Sequence, residues 1–66
     1  MFNANALRGE IARNGMTQKT VAESIGMSAN TFSKKMRDGS FGINECDAMI
    51  ELLGIQNPGA IFFAEE

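Results

Sequence analysis

Residues 17–37 read TQKTVAESIGMSANTFSKKMR, and the fold turns on how this stretch is divided. Thr17 suits a helix N-cap, because its hydroxyl can accept from an amide that the first helical turn leaves unpaired. Val21, Ala22 and Ile25 then recur at helical spacing as a buried stripe, and Gly26 stops the helix. Ser28 caps a further helix running to about Asp38, with Phe32 and Met36 facing inward at i and i+4 and Gly39 ending it. A turn of only about three residues between two helices needs the positive φ that glycine adopts freely, hence Gly26. Ala22 is small enough for the two helices to approach closely, and Val21, Ile25, Met27 and Phe32 form the wedge that sets their angle.

Working outward, a first helix fits Asn3 to about Asn14, with Leu7 and Ile11 one turn apart and Gly15 at the left-handed end position. Gly9 weakens its interior slightly. After Gly39 comes a loop, then a fourth helix in which Glu45 sits at N3 and Ile43, Cys46, Ile50 and Leu53 form one apolar face. Gly54 terminates it. Asn57-Pro58 is a cap followed by proline, so a short fifth helix carries Ile61, Phe62 and Phe63 back against the core; two adjacent aromatics point in different directions, which leaves one of them for a partner. No useful segment alternates apolar and polar residues as a half-buried strand would. The expectation is a single all-α domain of five helices over residues 1–66.

Sixty-six residues bury only about 60% of the surface of the unfolded chain, so the core is small. One cysteine, Cys46, permits no internal disulfide and reads as a core residue. The absence of histidine excludes a zinc finger, and no metal or cofactor is expected. With neither histidine nor tyrosine and too little mass to enclose a substrate pocket, an enzyme is not expected. The opening Met1-Phe2-Asn3-Ala4-Asn5 lacks a basic region leading into an apolar stretch, and the run Ala60 to Ala64 is too short to span a bilayer. Both point to a soluble cytoplasmic protein with no membrane partner.

The net charge of −2 conceals a division. Residues 1–37 hold all six basic residues (Arg8, Arg13, Lys19, Lys34, Lys35 and Arg37) against Glu10 and Glu23, a local charge of +4; residues 38–66 hold six acids and no base. One face is thus suited to an anionic partner, and the acidic half is expected to face away from it or towards another protein.

The stretch TQKTVAESIGMSANTFSKKMRDG, followed by FGINECDAMIELLGI and the terminal IFF, resembles the Cro/cI-type (XRE-like) helix-turn-helix regulators of phages and prophages. Thr17-Gln18 with Ala22, Gly26 and Ser28 at the family's spacing carries the likeness, which covers nearly the whole chain. It implies a five-helix lambda-repressor-like domain whose helix-turn-helix is made by helices 2 and 3, acting as a small operator-binding repressor in a bacterial host cell. Lys35 departs from the pattern, since many members are apolar three positions after Phe32; the helix is then rotated there, or the lysine snorkels.

Helical geometry names the residues that would touch DNA. With Phe32 inward, Asn30 and Lys34 point outward, Thr31, Ser33 and Arg37 flank them, and Ala29 and Met36 lie on the core side. Asn pairs bidentately with adenine and Lys donates to guanine, so Asn30, Thr31 and Lys34, with Ser28 as a weaker member, form the expected base-reading set. The resemblance implies phosphate contacts at Gln18, at Lys19 and Lys35 and from the main chain around Gly39-Ser40, with Arg37 joining the anchors. The same cations also suit a merely solvated face. The competing function is a protein-interaction module that modulates a partner repressor through the acidic half or Phe62/Phe63. A homodimer through Ile61, Phe62 and Phe63 would match a palindromic operator.

Overall fold

Capping chemistry sets where the first four helices begin, and the fifth starts on Pro58 with no side-chain cap. In the computed structural model, which describes residues 2–63, the order is α1 (Ala4–Arg13), α2 (Gln18–Ser24), α3 (Ala29–Asp38), α4 (Ile43–Leu53) and α5 (Pro58–Phe62), with no strand among the described residues. The Asn3 side chain accepts from the Ala6 amide at 3.1 Å, and Ser28 Oγ accepts from the Thr31 amide at 3.2 Å. Thr17 makes a reciprocal cap with Thr20: each hydroxyl accepts from the other residue's amide, at 3.2 and 2.9 Å. Gly42 has no side chain to cap α4, so the Glu45 carboxylate reaches back from N3 and accepts the Gly42 amide at 2.8 Å. Gly26 has φ +77°, as the short turn requires, and α3 closes on Gly39 at φ +68°.

The core draws on every helix: Leu7 and Ile11 from α1, Val21 and Ala22 from α2, Phe32 and Met36 from α3, Met49 and Leu53 from α4, Ile61 and Phe62 from α5, with Ile55 from the α4–α5 turn. Each large apolar side chain removed from water contributes about 1.5–3 kcal/mol, so few can be spared in so short a chain. Among the described residues no buried side-chain polar atom lacks a hydrogen-bond partner. An aromatic chain ties the ends together: Phe32 meets Phe41 at a 5.3 Å ring-centre distance, Phe41 meets Phe2 at 5.6 Å, and Phe2 meets Phe62 at 6.1 Å. The Asn3 amide adds a 2.7 Å bond to the Ile61 carbonyl.

Three expectations are corrected. The apolar face of α4 is centred on the fully buried Met49, with Cys46 and Ile50 half-buried beside it, while Ile43 is 75% exposed. At about 100° per residue Ile43 lies roughly 120° round from Met49, beyond the edge of that face. Ile25 is half-buried, because it follows the last turn of α2 and only its edge meets the core. Ala29 is exposed, since the first residue of α3 overhangs the turn. Of the three C-terminal apolar residues, Ile61 and Phe62 are spent on the core and Phe63 is 68% exposed.

Candidate nucleic-acid interface

The turn Ile25–Ser28 presents α3 with Phe32 and Met36 inward, and the remaining geometry follows. Asn30, Thr31, Ser33, Lys34 and Arg37 are all exposed. Asn30 and Lys34 lie one turn apart opposite the buried pair, about 5–6 Å between β-carbons. Among the described residues neither side chain has a hydrogen-bond partner, so their donors and acceptors are unspent. Ser28 is more constrained. Its hydroxyl donates to Thr31 Oγ1 at 2.9 Å while accepting the Thr31 amide, which leaves Thr31 with a hydroxyl proton to offer.

The cations divide by partner. Lys19, exposed in the first turn of α2, joins Lys34 in having no ion-pair partner among the described residues, and Gln18 beside it is half-buried. Arg37 Nε donates to Asp38 Oδ1 at 3.2 Å, but both side chains are more than half exposed, and such a pair is worth little. Lys35 is half-buried, and its ammonium donates to both oxygens of Glu45, at 2.9 and 3.0 Å. That ammonium, and then the Gly42 amide, hold the Glu45 carboxyl below its ordinary value of 4.5. The amides of Gly39 and Ser40 both donate to the Lys35 carbonyl, at 2.7 and 3.2 Å, so the main chain there is occupied by helix closure and the exposed Ser40 hydroxyl is what remains.

The +4 of residues 1–37 is therefore not all available. Arg13 donates to Glu10 at 2.6 Å and to the Leu53 carbonyl at 2.9 Å, closing the C-terminus of α4, where a cation is favoured. Asn14 reaches the same Leu53 carbonyl at 2.9 Å. The acidic half does not wholly face away either, because Glu45 lies against α3. None of these three ties is legible in the sequence: the partners are 10, 40 and 39 positions apart, beyond any helical periodicity. The one available signal was a lysine at the edge of an apolar stripe, which needs an acid within reach.

Two other features lie apart from α3. A groove of about 430 Å³ runs between α1 and the segment after α4, lined by Ala6, Glu10, Arg13, Ile55, Gln56, Asn57, Ala60 and Ile61. Cys46 is half-buried, and burial, followed by Asp47 and Glu45, pushes its thiol above the ordinary range. No group of three or more potential metal ligands occurs among the described residues, and none of their helices is long and apolar enough to cross a membrane. Compared with protein-family models, curated proteins and solved structures, the chain matches none of them.

Proposed function

We propose that this chain is a sequence-specific double-stranded DNA-binding regulator, a lambda-repressor-like domain in which α2 and α3 form a helix-turn-helix and α3 enters the major groove. One observation carries the reading: the solvent face of α3 presents Asn30, Thr31 and Lys34 together with unspent hydrogen-bonding groups, on a helix held out by a four-residue turn. A groove about 12 Å wide admits such a helix, and these side chains match the edges of adenine and guanine. Gln18, Lys19, Arg37 and the Ser40 hydroxyl flank that face as phosphate partners, which set register and not sequence choice. Binding of this kind occludes a promoter, and pairing of two copies through the exposed Phe63 would suit half-sites about 34–36 Å apart.

Selection of bound sequences from a random duplex pool at two salt concentrations tests the proposal. Enrichment of a defined site, with affinity falling steeply as salt rises, is the expected result. A pool left unenriched at both concentrations refutes it. The exposed Ile43 and Phe63 would then favour the competing reading, a module that docks on a partner protein.

A further inference from the structure

Position 35 lies between the inward Phe32 and Met36 and the outward Lys34, so its side chain leaves α3 along the side that α4 approaches. The Glu45 carboxylate meets it there with both oxygens, and Oε1 also accepts the Gly42 amide at 2.8 Å. The carboxylate is thus pre-oriented by a backbone donor before it engages the lysine. Both side chains are 27% exposed, so salt screens this pair less than the open Arg37–Asp38 pair, whose side chains are 73% and 56% exposed. A phosphate oxygen and a carboxylate oxygen offer an ammonium the same kind of acceptor.

Resting on the DNA-binding reading, we propose that Glu45 is a positioning residue that withholds Lys35 from DNA. Its carboxylate occupies the ammonium that a backbone phosphate would otherwise take. Wild-type protein therefore makes one phosphate contact fewer than its cations permit, and among the cations phosphate binding falls to Lys19 and Arg37. Affinity for all sequences is lowered by an acid that touches no base.

The test uses the full chain and a short duplex of random sequence, because phosphate contacts are sequence-independent. Glu45→Gln keeps the Gly42 cap, since glutamine serves at N3, and circular dichroism verifies that the variant is folded. One added phosphate contact steepens the log–log salt dependence by about 0.9 and tightens binding about eightfold at 0.1 M salt. Lys35→Gln in the wild-type background should leave slope and affinity unchanged, and in the Glu45→Gln background it should abolish the gain. The double variant has the net charge of the wild type, so a gain that survives in it does not come from Lys35 and overturns the proposal; a wild-type slope that falls when Lys35 is replaced overturns it too. Equal binding by wild type and Glu45→Gln overturns the competitor role alone. Absence of salt-dependent binding by wild type overturns the DNA-binding reading with it.

Discussion

Gly39→Ala should destabilise the protein more than Gly54→Ala, although the two glycines have nearly the same backbone. Each ends a helix in the left-handed region, at φ +68° and +63°, and each donates its amide to the carbonyl four residues back. An alanine in that region costs about 1–2 kcal/mol, which both variants incur. Their surroundings differ. A β-carbon on Gly54 meets nothing within 4 Å, whereas one on Gly39 would lie 3.0 Å from the β-carbon of Phe2 and 3.5 Å from its ring. Phe2 cannot readily yield, because its ring is set between Phe41 and Phe62 and the next amide is bonded to Ile61. Overpacking of this kind adds about 1–3 kcal/mol. The whole domain has only about 3–10 kcal/mol to lose at this length. Thermal unfolding followed by circular dichroism should place the Gly39→Ala midpoint at least about 4–8 °C below that of Gly54→Ala, the shift that 1 kcal/mol produces at this size. Placing both substitutions in a Phe2→Gly background, which removes that β-carbon together with the ring, should close the gap. Equal midpoints in the wild-type background, or a gap that persists without the Phe2 ring, would refute the reasoning.

Asn30→Ala should weaken binding to a selected site by about 1–3 kcal/mol and relax preference at one base, read by competition with single-base variants; unchanged preference removes Asn30 from the reading set. Phe62→Ser should cost several-fold more stability than Phe63→Ser in urea unfolding, since Phe62 is 8% and Phe63 68% exposed, and comparable losses would contradict that division. The Lys35–Glu45 pair also predicts a pH dependence. The folded state holds the Glu45 carboxyl below 4.5, so its contribution is present above the unfolded value and is lost as pH falls through the lowered one. Urea midpoints of wild type should therefore drop more steeply on acidification below 4.5 than those of Glu45→Gln, and parallel curves would show that the pair contributes nothing.

Local signals made most of the helical framework readable. Asn3, Thr17, Ser28 and Asn57-Pro58 mark starts, and Gly39 and Gly54 mark ends, because capping and left-handed closure involve neighbours within four residues. The outward set on α3 follows from Phe32 and Met36 by the same short-range geometry. Burial on α4 was harder to read. Four apolar residues at helical spacing admit more than one centre, and the chain alone did not say that Met49 rather than Ile43 would face the other helices. Phe2 and Phe41 likewise gave no periodic signal, since each lies outside a helix, yet they join α3 to α5.

The opening stretch, residues 17–37, by itself determined two helices, the turn between them and the outward set Asn30, Thr31, Ser33, Lys34 and Arg37, because each depends on spacings of four positions or fewer; it misplaced Ile25 and Ala29, which lie at the helix ends beside the turn. It could not determine which of its cations keep their charge free. Lys34 and Lys35 are adjacent and identical in composition, and they differ only because α4 brings Glu45 to one of them and not the other. Arg13 is turned from a surface cation into a clasp on α4 in the same way. Such pairings join residues 10 to 40 positions apart, and they come into being only when the packed core fixes one helix against the next.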